Sequence, residues 1–288
     1  MFINDITSTC LNPLYLFADD NSLFRIIRSD ETLESATTEL QKDLDSLAQW
    51  TENWNARFNP TKCEVLLITR KHFTGGLKPL MMYNQKIPEV NSLRLLGMRI
   101  NSTLSFDEHI QNLAVRGSRA LGSLCRASSC LSSHTCTILY KALVRSTIEY
   151  GCPIWGGAAQ TWLAKLDTIQ NRAIRLLKLK DPQSHNIVPL EIRRKTASML
   201  LFRKHLLHPP DPQDMLISRS IPRAHHYAIR NINNHKYKVE PIRSRTAQHF
   251  NSFIPRVHRL WNTLPCHVSS TIHEKRFGTL YYRTLLAL

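Results

Sequence analysis

Two adjacent carboxylates, Asp19 and Asp20, lie between short apolar runs, Leu14 to Phe17 on one side and Ser22 to Ile27 on the other. Asp19-Asp20-Asn21 is a turn signal, so Pro13 to Ile27 is expected to form a β-hairpin with both carboxylates at its tip. Hard oxygen ligands projecting from an apolar sheet edge suit Mg²⁺ or Mn²⁺. The same residues also make an ordinary polar turn. A second group, Cys125, Cys130, His134 and Cys136, has the residue types of a zinc site without the paired C-x-x-C spacing. Cys125 falls on an apolar helix face, so core cysteines are expected there. Seven scattered cysteines, an odd number, read as reduced thiols.

The elements that would position these groups follow from the hydrophobic pattern. Ser29 or Asp30 caps a helix with apolar positions Leu33, Leu40, Leu44, Leu47, Trp54 and Phe58, ended by Pro60. Strands are expected at Glu64 to Thr69 and Arg94 to Ile100, the latter bent at Gly97, with Gly75-Gly76 and Pro79 in the intervening loop. The period then becomes helical. Ile110, Leu113, Ala114, Leu121, Leu124 and Cys125 share one face, opposite Arg116, Arg119 and Arg126. A second helix, from about His134 to Tyr150, carries Lys141 and Arg145 and stops at Gly151 and Pro153. A third, Thr161 to Leu179, turns Leu166, Ile169, Ala173 and Leu176 inward and Lys165, Arg172, Arg175 and Lys178 outward. Pro209, Pro210 and Pro212 mark a stiff break at 208–214. Beyond it, Phe250, Phe253, Val257, Leu260 and Trp261 suggest one helix, and Phe277 to Leu286 another. The class is α+β, mainly helical.

Charge narrows the function. Of 38 Lys+Arg and 22 Asp+Glu, residues 1–115 hold 11 and 14, whereas residues 116–288 hold 27 and 8, a net of −3 against +19. Such a half meets a polyanion, which leaves an enzyme acting on nucleic acid or a binding module without chemistry. A basic interaction protein for an acidic partner is the third class. The helical stripes are nearly free of acids, so Arg116, Arg119, Arg126, Lys141, Arg145, Lys165, Arg172 and Arg175 are expected to contact phosphates. No apolar run approaches the roughly 18 residues of a bilayer span, and no secretion signal precedes the hairpin. An intracellular protein, nuclear or cytoplasmic, without membrane or small-molecule cofactor, is expected.

The sequence resembles the reverse transcriptases of non-LTR, jockey-like retrotransposons. The matching pieces run in order: Phe2 to Ile6, Leu16 to Leu23, Trp50 to Trp54, Phe58 to Glu64, Leu93 to Gly97, Leu104 to Ile110, Tyr150 to Trp155, Ile169 to Ala173 and Leu260 to Pro265. The resemblance implies a partial polymerase palm (1–106), a helical thumb (107–207), a Pro-rich linker (208–214) and a basic helical C-terminal extension (215–288). It implies RNA-directed DNA polymerase activity on an RNA template and DNA primer, with Asp19 as a Mg²⁺ (or Mn²⁺) ligand and Asp20 as its supporting carboxylate. Lys62 would donate a proton to the leaving pyrophosphate, and the Gly97 region would grip the primer. The family also supplies an upstream carboxylate and fingers. Only 18 residues precede Asp19, so these are expected to be missing, Mg²⁺ to bind weakly, and the chain to be inactive alone. A catalytically dead nucleic-acid-binding remnant is the competing expectation.

Overall fold

The computed structural model describes residues 5–70, 77–178, 187–207, 237–271 and 273–286. The Pro-rich break at 208–214, Phe2 to Asn4 and Gly75-Gly76 lie outside them. The chain divides into two compact units, Met1–Leu104 and Ser105–Leu288.

The first unit is built on one helix and three antiparallel hairpins. The hairpins are β1 (Leu14–Phe17) with β2 (Asp20–Leu23), β3 (Met81–Met82) with β4 (Gln85–Lys86), and β5 (Ser92–Leu95) with β6 (Met98–Asn101). Helix α1 spans Leu33–Asn53. Its cap is Thr32, whose hydroxyl accepts the Ser35 N–H, rather than Ser29 or Asp30. It also ends earlier than Pro60, where Asn55 takes a left-handed φ of 52°. Phe58 lies beyond the helix and packs back on its apolar face. The expected strand at Glu64 to Thr69 is reduced to an isolated parallel bridge, Val65 to Glu89. Arg94 to Ile100 is not one bent strand but the β5–β6 hairpin, reversed at Leu96 and Gly97 with φ of 47° and 82°. Positive φ at both central residues is what a tight I′-type hairpin turn requires, and Gly97 adopts it without steric cost.

The second unit is helical. It runs α2 (Asp107–Ala127), α3 (Ser133–Leu139), a π-helical segment (Tyr140–Arg145), α4 (Ser146–Glu149), α5 (Cys152–Trp155) and α6 (Gln160–Leu176). Then follow α7 (Leu190–Leu207), α8 (Ala247–Asn251), α9 (Phe253–Asn262), α10 (Cys266–Ser269) and α11 (Glu274–Leu286). Helix α7 is not foreseen by the sequence pattern, because its apolar residues do not gather on one face. It buries Arg194 and Arg203 beside Met199 and Phe202. One core packs Ile110, Leu113, Leu121 and Leu124 of α2 among buried Ile148, Leu166, Ile169 and Ala173. Another joins Met199 and Phe202 of α7 to Val257, Trp261, Leu264, Phe277 and Tyr281, so residues before and after 208–236 share one interior.

Two buried details fix the second unit's geometry. Tyr140 donates its hydroxyl to Gln170 Oε1 at 3.0 Å, and Gln170 Nε2 donates to the Val188 carbonyl at 2.9 Å, a relay from the π segment through α6 to the start of α7. Gly117 lies where α2 meets α4 and α6: a Cβ there would press into Ile148 Cγ2 and touch Ile169 Cδ1 at 3.4 Å. Gly117→Ala is expected to lower stability by about 1–3 kcal/mol through overpacking, and to cost less in an Ile148→Ala background, where the opposing Cγ2 methyl is gone, measured by a double-mutant cycle in urea.

His109 and His258 are both buried, and burial holds each imidazole below its ordinary range. Below about pH 6.5 the unfolded chain takes up protons that the folded chain refuses, so stability is lost as pH falls from 7 to 5. His258→Gln is expected to flatten that decline in urea midpoints measured across the range.

Candidate functional site

The hairpin tip is formed by Ala18 and Asp19, with Phe17 and Asp20 as the closing pair. Asp19 and Asp20 are both exposed, and Asn21 Nδ2 donates to the Asp19 carbonyl at 3.3 Å. Ala18 takes φ 54°, an uncommon conformation for a residue with a Cβ, and its strain is tolerated because both legs are fastened. On the entering leg, Asp43 is 2% exposed and accepts the Leu11 N–H at 2.8 Å, the Asn12 N–H at 3.0 Å and Asn12 Nδ2 at 2.7 Å. On the leaving leg, Arg25 donates to Glu31 at 2.5 Å and pairs with Glu39 at 2.8 Å. The inner face, Leu14, Leu16 and Leu23, packs on Leu44, Leu47 and Trp50 of α1.

The outer face is bare. Tyr15, Phe17, Phe24 and Ile26 are exposed, Phe17 to 65%, and Tyr15 and Phe24 meet edge to face at 5.4 Å. Lys62 ends a short 3-10 turn, Pro60–Lys62, organised by Asn59, whose side chain accepts from the Thr61 N–H and hydroxyl. Its ammonium is exposed. Among the described residues no three His, Cys, Asp or Glu side chains gather as a metal site. Asp5 is exposed and uses its carbonyl to accept from Ser8. Cys125, Cys130 and His134 are also exposed, so Cys125 and Cys130 are surface rather than core thiols; Cys136 is buried. Two hard oxygen donors at an exposed tip fit a Mg²⁺ or Mn²⁺ ion whose remaining positions are filled from elsewhere.

In the second unit Arg116, Arg119 and Arg126 are exposed on α2, and Lys165, Arg172 and Arg175 on α6. Both stripes lie opposite the buried faces, Leu113 to Leu124 and Leu163 to Ala173. None of the six has a carboxylate partner among the described residues. Lys165 rests 3.9 Å from the Trp162 ring centroid. Three acids of this unit are held by cations of α7. Glu149 is held by Arg193 through two guanidinium nitrogens, Asp167 pairs with buried Arg194 at 3.2 Å, and Glu191 pairs with Lys195 at 2.7 Å. Lys141 and Arg145 differ from the stripes. Both are only partly exposed on the π segment, and burial, reinforced by Arg193, lowers the Arg145 pKa.

Three relatives from Drosophila melanogaster are an RNA-directed DNA polymerase from the mobile element jockey, a probable one from transposon X-element, and a probable one from transposon BS. They are 29%, 26% and 26% identical to this chain over 162, 176 and 167 residues, which is 55%, 60% and 57% of the chain. The chain is a homologue of jockey-like RNA-directed DNA polymerases. It spans under a fifth of each of these relatives, namely 17%, 19% and 18% of their length. No family model matches the chain, and no solved structure does.

Asp43 has no place among the sequence-based candidates, although a carboxylate on the apolar face of α1 between Leu40 and Leu47 is a visible signal. Asp43→Ala leaves the Leu11 and Asn12 amides unpartnered and is expected to cost about 1.5–3 kcal/mol. Amide exchange at β1 should accelerate in the same variant, while exchange in α6 stays unchanged.

Proposed function

We propose that the chain is the part of a non-LTR reverse transcriptase that carries the metal-binding turn of the palm and the thumb, and that it holds template and primer through their phosphates. The observation that carries this reading is the uneven charge of the second unit: Glu149 and Asp167 are taken up by Arg193 and the buried Arg194, whereas guanidinium and ammonium groups without a carboxylate partner among the described residues face outward on α2 and α6. A merely solvated face would interleave both signs. A single-sign face on two packed helices favours a polyanion, and contacts of this kind position a duplex without reading its bases.

Asp19 and Asp20 would hold Mg²⁺ or Mn²⁺, and the ion would supply charge neutralisation for the phosphoryl group being transferred. The protein's own contribution is to hold that turn rigid through Asp43 and Arg25 and to present Lys62 as a proton donor. The bare apolar outer face of the hairpin supports its being one part of a wider sheet, because exposed patches of this type mark surfaces that something else covers. No third carboxylate joins Asp19 and Asp20 among the described residues, and that favours nucleic-acid binding without chemistry by this chain alone. Primer extension on an RNA template is therefore expected to be undetectable. Incorporation that depends on template and disappears in Asp19→Asn would contradict this.

Binding is expected to be steeply salt-dependent, with log K against log[salt] near −5 for about six neutralised phosphates on duplex DNA. Arg116→Ala, Arg119→Ala or Arg172→Ala should each reduce the slope by about one unit, equally on unrelated sequences. Arg194→Ala should leave the slope alone and instead cost about 2–4 kcal/mol of stability, since it empties the buried space that the Arg194 side chain fills and removes its pairing with Asp167. A flat salt response would exclude backbone recognition.

A further inference from the structure

The C-terminal part of the second unit presents a separate cationic surface. Between Glu240 and Glu274 the sequence holds no Asp or Glu, while Arg243, Arg245, His249, Arg256, His258, Arg259, His267 and His273 all fall inside that stretch. Its core is the Trp261, Phe277 and Tyr281 cluster, and Arg256 is spent inside it, donating to the Pro153 carbonyl at 2.8 Å. Arg243, Arg245 and His249 are exposed.

Phe250 was expected on the buried face of one long helix. Instead the helix breaks at Ser252 into α8 and α9, and the Phe250 ring is 47% exposed. Among the described residues from 237 to 286, only Phe250 and Leu286 are large hydrophobics exposed in this way. The Arg259 guanidinium lies over the Phe250 ring, 3.4 Å from its centroid, and donates to the Phe250 carbonyl at 2.7 Å. The platform is held firmly. Thr246 Oγ1 accepts the His249 N–H, Ser252 Oγ donates to the His249 carbonyl at 2.7 Å, and the Asn251 carbonyl abuts Gly157 where no Cβ would fit.

We propose that Phe250, backed by Arg259 and preceded in the chain by the exposed cations Arg243 and Arg245 and by His249, is a stacking site for an unpaired base of single-stranded nucleic acid. An aromatic ring with one face covered by a guanidinium and cations beside it matches how single strands are bound: bases stack on rings, and the backbone follows positive charge. A protein-docking surface would need an apolar patch around the ring, and here the neighbours Gln248, His249, Asn251 and Ser252 are polar. The site lies on elements other than the α2 and α6 stripes and does not require the template-primer reading.

The test uses the full chain with a 12-nucleotide oligouridylate, a 12-base-pair DNA duplex and polyglutamate of equal charge. Phe250→Ala and Phe250→Leu are expected to weaken oligouridylate binding by about 5- to 100-fold with the duplex affinity unchanged. Phe250→Trp should keep the affinity. Arg243→Ala and Arg245→Ala should each lower the single-strand salt slope by about 0.7. Unchanged oligouridylate affinity in Phe250→Ala, equal losses on single strand and duplex, or polyglutamate binding as tight as oligouridylate and indifferent to Phe250 would each overturn the proposal. Failure of the α2 and α6 variants to affect duplex binding would count against the thumb reading and leave this site standing.

Discussion

A folded unit with 27 Lys+Arg and 8 Asp+Glu over residues 116–288 must place its few carboxylates where they do most. Spread over the surface they would be screened and worth little, since exposed pairs contribute about 0–1 kcal/mol. Here three of them bind the cations of one helix. Glu149 meets Arg193 and Asp167 meets Arg194, so α4, α6 and α7 are joined through charge as well as through apolar contact, while Glu191 and Lys195 pair on the surface of α7 itself. Arg194 is almost fully buried, and a buried guanidinium without Asp167 would be strongly unfavourable. The exposed cations of α2 and α6 are left without carboxylate partners among the described residues, which makes those two faces basic.

The same economy holds at the hairpin. Asp43, Glu31 and Glu39 are committed to fastening its legs, whereas Asp19 and Asp20 are exposed at its tip. A carboxylate that accepts three N–H bonds positions backbone, and one that faces solvent is available to a ligand. Ala18 in a left-handed conformation fits this arrangement: a strained residue persists where the surrounding contacts over-determine the turn.

The hairpin at Leu14 to Leu23 is legible because two apolar runs flank an explicit turn signal, and the amphipathic faces of α2 and α6 because their period of 3.6 is clean. Helix α7 is not, because it is buried on several sides and carries Arg194 and Arg203 inward, which removes the periodic signal. The 64–69 run reads as a strand from its β-branched content, yet its strand pairing is a single bridge at Val65, and strand propensity follows pairing rather than dictating it. The Leu96-Gly97 reversal reads as a bend in the sequence because Leu96 is an unusual residue for positive φ. Arg193 and Arg194 resemble the outward stripes in sequence, and only packing tells a partnered cation from an available one.

That carboxylate pairing on α7 leaves the α6 stripe to phosphate is tested most directly by lysine acetylation footprinting of the full chain with and without an RNA·DNA hybrid. Lys165 and Lys195 are both accessible, but Lys195 is engaged by Glu191 and Lys165 only by the Trp162 ring. Protection of Lys165 by the hybrid at low salt, released at high salt, with Lys195 unchanged, is the expected result. Equal labelling of Lys165 with and without the hybrid, or protection at Lys195 instead, would contradict the account.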